Sequence, residues 1–127
     1  MNARKNDPVQ TGTIHRTAQE RVPVEVVDVE GFYRFIGQPR KVVVWFFALW
    51  SCPSMLLGHR LRKIPAEILE KLPLKAYEFP TVSFDLDIHS KFRINDFPTL
   101  VLFDHGQETN RLVGLHSHEK VMSLLET

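Results

Sequence analysis

The sequence predicts an α/β domain in which helices cover a mixed central sheet. Three observations lead to that class. The run KVVVWFFAL at residues 41–49 is β-branched and aromatic without polar alternation, which is typical of a strand buried on both faces. Helical and extended patterns alternate around it, as a parallel β-α-β unit requires. A β-hairpin and a helix follow, so the predicted order is β-α-β-α-β-α-β-β-α.

The first part of the chain predicts a tail, an edge strand and a helix. Residues 1–22 are polar and aperiodic, and we expect a flexible N-terminal tail followed by a folded domain at 23–127. PVEVVDV at 23–29 alternates weakly and predicts a first edge strand. Asp28 is a suitable N-cap for a helix whose Phe32, Phe35 and Ile36 share one face.

The middle of the chain predicts two helical segments and a strand. After Pro53, SMLLGHRLRKI predicts a helix that buries Leu56 and Leu61 on one stripe. Pro65 separates it from a second segment, PAEILEKL. TVSFDLDI at 81–88 alternates apolar and polar residues, which predicts a strand, and HSKFRI predicts a short helical turn after it.

The last part predicts a hairpin and a capped helix. TLVLFDHGQETNRLVGL at 99–115 indicates two antiparallel strands around a turn at 104–107. Ser117 is placed to cap a terminal helix in which Val121, Leu124 and Leu125 repeat at helical spacing.

The composition limits the classes of function. Sixteen basic and 15 acidic residues give a net charge of +1, so nothing indicates a nucleic acid or membrane partner. The longest apolar run is about half of the roughly 18 residues that span a bilayer. The N-terminal residues contain no apolar segment of the kind that a secretion signal requires, so secretion is not predicted. Cys52 is the only cysteine, which excludes an intramolecular disulfide and favours a reducing, cytoplasmic location.

The stretches FALWSCPSM and RINDFPTLVLFDHG resemble the thioredoxin family, and the resemblance extends over about residues 24–126. It implies a three-layer α/β/α sandwich with helices on both faces of a mixed central sheet. It also implies that the bond between Phe97 and Pro98 is cis, that Gly106 lies in the hairpin turn, and that Gly114 lies near the substrate surface. An X-Pro bond gives up only about 0.5–1 kcal/mol in the cis form, which fits the first of these expectations.

The residues that carry chemistry in that family are replaced in this chain. The family motif is Trp-Cys-x-x-Cys, and a gap-free alignment puts Ser51 and Ser54 at the cysteine positions, with Cys52 between them. The position of the family's buried carboxylate is Trp45, which we interpret as a core residue. Dithiol–disulfide exchange needs an attacking and a resolving thiol, so the chain is predicted to lack that activity.

The resemblance also implies a surface that binds an extended polypeptide beside the cis-proline, through contacts that need no sulfur. Exposed aromatic residues are favoured anchors at such interfaces. We therefore predict a protein-binding or chaperone-like module whose partner is another protein or an extended polypeptide segment, without cofactor or metal; the oligomeric state stays open. We call the surface the peptide face, and its residues are Trp50, Ser51, Pro53, Ser54, Phe97, Pro98 and Gly114.

A second alignment stays open. With one residue inserted after Trp50, CPSM is similar to the glutaredoxin motif, and Cys52 would precede the helix with Pro53 at its first position. The positive end of a helix stabilises a thiolate, so Cys52 is then the candidate catalytic residue of a monothiol redox protein that forms mixed disulfides. Cys52 is equally compatible with an inert residue on an exposed loop. A third, weaker alternative is a structural subunit of a larger assembly.

The six histidines do not indicate a metal site. His116 and His118 form a His-x-His pair, but no third ligand lies close in sequence. We interpret all six as solvated surface imidazoles.

Overall fold

The computed structural model describes residues 24–79 and 87–126. A four-stranded mixed sheet in the order β2-β1-β3-β4 forms its centre. The first pair is parallel, and the other two pairs are antiparallel. The strands are β1 (Lys41–Phe47), β2 (Leu74–Glu78), β3 (Thr99–Asp104) and β4 (Gln107–Val113).

Helices cover both faces of the sheet, as predicted. Apolar side chains from α2, α3 and α5 pack on one face, and those from α1 and α4 pack on the other. The helices within the described residues are α1 (Val29–Ile36), α2 (Cys52–Leu61), α3 (Ala66–Lys71), α4 (Asp87–Lys91) and α5 (His118–Leu125). The fold is therefore a three-layer α/β/α sandwich.

The strand β1 supplies the centre of both layers of the core. Val42 to Phe47 are fully buried, with Trp45 facing the α2 side and Phe46 facing the α1 side. Alternate side chains of a strand point to opposite faces, so a strand with helices on both sides has no position for a polar residue. This confirms the interpretation of the KVVVWFFAL run and of Trp45.

The predicted edge strand at 23–29 is wrong as a strand. Val26 forms one isolated parallel bridge to Ala76, and α1 begins at Val29 with Asp28 as its N-cap. The Asp28 carboxylate accepts a hydrogen bond from the Gly31 amide at 2.7 Å, which ends the extended conformation. Residue 23 lies outside the described residues.

The parallel partner of β1 is β2, which the sequence analysis did not predict. Its side chains Lys75 and Glu78 obscure the apolar pattern, and only Ala76 and Tyr77 are buried. The predicted strand at 81–88 is wrong at its end, because Asp87 begins α4; residues 81–86 lie outside the described residues.

The helix α2 differs from its prediction at its start and in its buried face. It begins at Cys52, before Pro53, and it buries Leu57 and Leu61, whereas Leu56 is half exposed. Leu57 and Leu61 are four residues apart and share one face of the helix, whereas Leu56 and Leu61 are five apart and point in directions that differ by about 140°, since each residue advances the helix by about 100°.

The C-terminal elements agree with their predictions. His105 and Gly106 both have positive φ in the hairpin turn, as the two-residue turn between β3 and β4 requires. The Ser117 hydroxyl accepts a hydrogen bond from the Lys120 amide and caps α5. In the part of the chain that the structure describes, no helix has the length and apolar character needed to cross a membrane.

Candidate functional site

The connection from β1 to α2 holds the WSCPS stretch. The Ser51 amide donates to the Ala48 carbonyl at 3.0 Å, which turns the chain, and Ser51 is then the N-cap of α2. Its hydroxyl accepts a hydrogen bond from the Ser54 amide at 3.2 Å. Pro53 is the second helical residue, where its missing N–H leaves no helical bond unmade.

The two serines of this stretch are buried and hydrogen-bonded. Ser51 is 6% exposed, and its hydroxyl donates to the Phe97 carbonyl at 3.3 Å. Ser54 is fully buried, and its hydroxyl accepts from the Ala48 amide at 3.3 Å. Both hydroxyls therefore connect the start of α2 to its surroundings, and Ser51 joins it to the residue before Pro98.

Phe97 and Pro98 lie against the end of β4. Their peptide bond is cis, and the Pro98 carbonyl accepts a hydrogen bond from the Gly114 amide at 2.7 Å. Gly114 has a φ of +86°, and a Cβ added there would meet no atom within 4 Å. Glycine is therefore favoured here because of the positive φ, and the space where a side chain would lie is open.

Trp50 and Phe97 are in contact on the surface. Trp50 is 64% exposed, and its ring meets that of Phe97 edge to face at a centroid distance of 5.9 Å. Pro53, three residues after Trp50 in the sequence, is also exposed. Together with the contacts above, these positions bring the predicted peptide face together in one region.

Cys52 is exposed, and it is the first residue of α2. The helix therefore begins one residue earlier than the glutaredoxin-like alignment expected. Ser51, not Cys52, is hydrogen-bonded to the residue before Pro98. A serine hydroxyl has no thiolate chemistry at neutral pH, so the buried position beside Pro98 offers hydrogen bonds and not a nucleophile.

Trp45 lies in the core, in the same cluster of buried side chains as Leu57 and Leu61 of α2. It is fully buried, and its ring stacks on that of Phe47 at 4.7 Å. Its indole nitrogen has no hydrogen-bond partner among the described residues. No acid is therefore present at the position where the family resemblance implies a buried carboxylate.

The sequence analysis missed His89, which it interpreted as a solvated imidazole. His89 is 5% exposed, and neither ring nitrogen has a hydrogen-bond partner among the described residues. Burial lowers the pKa of the His89 imidazole, because desolvation disfavours its charged form. The neighbouring Ile88, an apolar residue of the same short helix, is a weak sequence signal that this segment faces the core.

Residues 23–127 match the family model "Thioredoxin". A thioredoxin of Chlamydia pneumoniae is 34% identical over 109 residues, which cover 80% of this chain and 95% of that protein. A thioredoxin of Mycoplasma pneumoniae is 27% identical over 101 residues, with the same coverage of both chains.

Solved structures agree on the fold. Mitochondrial thioredoxin 3 of Saccharomyces cerevisiae superposes with a TM-score of 0.67 at 20% identity, covering 81% of this chain and 93% of that one. The thioredoxin of Malassezia sympodialis superposes with a TM-score of 0.65 at 23% identity, covering 89% and 96%.

Proposed function

Because the chain belongs to the thioredoxin family, we propose that it binds extended polypeptide on the peptide face and does not catalyse dithiol–disulfide exchange. One observation carries the proposal. Ser51 and Ser54 are buried at the start of α2, and Ser51 is hydrogen-bonded to the residue before Pro98, whereas Cys52, the only cysteine, is exposed. The chain lacks a thiol pair, but Trp50, the cis bond before Pro98 and the open space at Gly114 are present.

The backbone around Pro98 supports contact with an extended chain. The Phe97 carbonyl accepts one hydrogen bond, from Ser51, and a carbonyl oxygen has a second lone pair for a partner's N–H. The space above Gly114 is open, so a polypeptide backbone can approach there without a steric clash. This combination favours recognition through the main chain, which tolerates many partner sequences.

Two exposed apolar side chains provide anchors. Trp50 is 64% exposed and Val113 is 46% exposed, and Val113 directly precedes Gly114. Aromatic residues at the centre of an interface commonly contribute most of the binding free energy. We therefore assign Trp50 the largest share of the affinity, with Phe97 supporting its ring. A cytoplasmic location stays a prediction of the cysteine count.

The proposal is tested by measuring binding of a fluorescently labelled, reduced and carboxymethylated α-lactalbumin, an unfolded chain without reactive sulfur. Trp50→Ala and Phe97→Ala are expected to weaken binding at least about tenfold, the range of hot-spot substitutions. Tyr33→Ala is the matched control, since Tyr33 is an aromatic residue 39% exposed on α1.

The result that would refute the proposal is equal binding by the wild type, Trp50→Ala and Phe97→Ala proteins, or a loss of binding in Tyr33→Ala as large as theirs. A parallel insulin-reduction assay is expected to show no turnover. Turnover at a rate like that of a dithiol thioredoxin would contradict the second half of the proposal.

A monothiol function is the second candidate, and the exposure of Cys52 at the first position of α2 favours it. The Cys52 thiolate would attack glutathione disulfide, forming one mixed disulfide and releasing one glutathione thiolate. Mass spectrometry of the protein after incubation with glutathione disulfide tests this candidate. Modification of Cys52 much faster than that of an unstructured cysteine peptide supports it, and an equal rate argues against it.

A further inference from the structure

The exposed side of α2 continues from the peptide face. The buried residues of α2 share the other side of the helix, and they are Ser54, Leu57, Gly58 and Leu61. At about 100° per residue, Cys52, Leu56 and Lys63 lie in one row opposite them. The row reaches Lys63 because Arg62 keeps a helical backbone, with φ −62° and ψ −23°. Leu56 is 50% exposed, and Cys52, where the row starts, directly precedes Pro53 of the peptide face.

Three basic residues, which we call the basic end of α2, lie at the far end of this row. They are Arg60, Arg62 and Lys63, and α2 itself contains no acidic residue. Among the described residues, none of the three has a carboxylate within ion-pair distance. Other basic side chains do have one, namely those of Arg34, Lys75 and Arg111. The negative end of the helix dipole favours cations at this position, but within the described part of the chain no anion neutralises them.

A hydrogen bond connects the basic end to the peptide face a second time. The Arg60 guanidinium donates to the His116 carbonyl, and His116 is two residues after Gly114 of the peptide face. The segment that follows Gly114 therefore lies beside the last turn of α2. The basic end thus adjoins the peptide face both along the helix and through this segment.

We propose that a polypeptide bound on the peptide face continues along the exposed side of α2, with an apolar residue on Leu56 and acidic residues at the basic end. Unpaired cations attract carboxylates and disfavour a basic segment, so charge complementarity selects an acidic partner. Cys52 and Lys63 are 11 positions apart, which corresponds to about 16 Å along the helix. An extended chain covers that distance in about five residues. The proposal rests on the proposed function and adds a preference for charge to it.

The test uses two capped, fluorescently labelled peptides with the same apolar centre. One carries several glutamates at each end, and the other carries glutamines in their place, so the result does not depend on the direction in which the chain binds. Fluorescence anisotropy at low salt is expected to show at least about threefold tighter binding of the glutamate peptide, the effect of a few exposed ion pairs. The preference should disappear at about 1 M salt, where charges are screened beyond about 3 Å. Equal binding of both peptides at low salt would overturn the proposal.

Charge variants assign the preference to the basic end. Arg62→Gln combined with Lys63→Gln should abolish most of the preference for the glutamate peptide. The matched control is Arg34→Gln combined with Lys91→Gln, which removes two positive charges from α1 and α4 on the other face of the sheet. A preference that persists in the first double variant, or that falls as much in the control, would contradict the assignment.

A second pair of variants tests the apolar contact on α2. Leu56→Ala should weaken binding of both peptides severalfold and leave the ratio between them unchanged, because it removes apolar area without changing the charge. Val29→Ala is the matched control, since Val29 is an aliphatic residue 42% exposed on α1. Equal affinities of wild type and Leu56→Ala, or an equal loss in Val29→Ala, would show that the bound chain does not follow α2.

Competition identifies the class of partner. Neither a single-stranded oligothymidylate nor vesicles that contain phosphatidylserine should displace the glutamate peptide at an equal concentration of negative charge. Displacement by either would show a general site for polyanions and overturn the assignment to an acidic polypeptide.

The outcomes also separate this proposal from the proposed function. If carboxymethylated α-lactalbumin binds but the two peptides bind equally or not at all, the acidic preference is refuted and the polypeptide-binding function stands. If neither the unfolded chain nor the peptides bind, the proposed function itself fails.

Discussion

Replacing His89 by phenylalanine should make the protein more stable. His89 is 5% exposed among the rings of Phe46, Tyr77, Phe79 and Phe97, and neither of its nitrogens has a partner among the described residues. A buried unsatisfied polar group costs about 1–3 kcal/mol. Phenylalanine removes those polar atoms and keeps a flat ring in the same surroundings, at the edge of a cavity of about 540 Å³ that Trp50 and Phe97 also line. We expect the free energy of unfolding to rise by about 1–3 kcal/mol at pH 8.

The advantage of the phenylalanine should grow as the pH falls. Burial holds the pKa of the His89 imidazole below its ordinary value of about 6.5, so the unfolded chain takes up the proton first. Wild-type stability is therefore complete above about pH 6.5 and is lost below it, by up to about 1.4 kcal/mol for each pH unit until His89 is protonated in the folded state. The His89→Phe protein lacks this loss.

Urea denaturation of both proteins at several pH values between about 8 and 5, followed by tryptophan fluorescence, measures the difference. Other titrating groups are common to both proteins, so the difference in free energy of unfolding isolates His89. His118→Phe, at an exposed position of α5, is the control and should change stability by no more than about 0.5 kcal/mol. A His89→Phe protein that is less stable than wild type, or a difference that does not grow below pH 6.5, would refute the reasoning.

Three further outcomes are expected. Ser51→Ala loses the N-cap bond to the Ser54 amide, so urea denaturation should show a loss of about 1–2 kcal/mol, and an unchanged midpoint would be evidence against the capping role. Gly114→Ala places a Cβ at a φ of +86°, which should cost about 1–2 kcal/mol although the space is open, with Gly114→Asn costing less; equal losses would contradict the backbone argument. Burial raises the pKa of the Glu78 carboxyl, so the charged form of Glu78 destabilises the folded state at pH 8 and Glu78→Gln should be more stable than wild type there. That advantage should disappear at lower pH, where wild-type Glu78 becomes protonated. A difference in stability that does not change with pH would contradict the burial of this carboxyl.

The elements that the sequence predicts well are those whose own residues determine them. The apolar run of β1, the Asp28 and Ser117 caps, and the positive φ values at His105 and Gly106 are local features. The strand β2 is different, because LKAYE has a weak pattern of its own. It is a strand because β1 pairs with it on one side and the Glu25 carbonyl and Val27 amide pair with Ala76 on the other.

The candidate site divides in the same way. That the chain has only one cysteine follows directly from the sequence, whereas the alignment of Ser51, Ser54 and Trp45 with the family's thiols and acid stays a prediction. The cavity lined by Trp50, Phe79 and His89 could not be predicted, because the segment after β2, the helix α4 and the connection from β1 to α2 must come together in space to form it. A histidine with one apolar neighbour, Ile88, gives little indication that aromatic rings from β1, β2 and two connecting segments surround it.

The affinity of the Cys52→Ser protein for carboxymethylated α-lactalbumin tests the central claim most directly. If the peptide face binds polypeptide without sulfur chemistry, wild type and Cys52→Ser should bind this thiol-free chain with the same Kd within about twofold, with or without a reductant. The contradicting result is that neither protein binds the thiol-free chain, while wild type alone is captured through Cys52 by an unblocked polypeptide and is released by dithiothreitol.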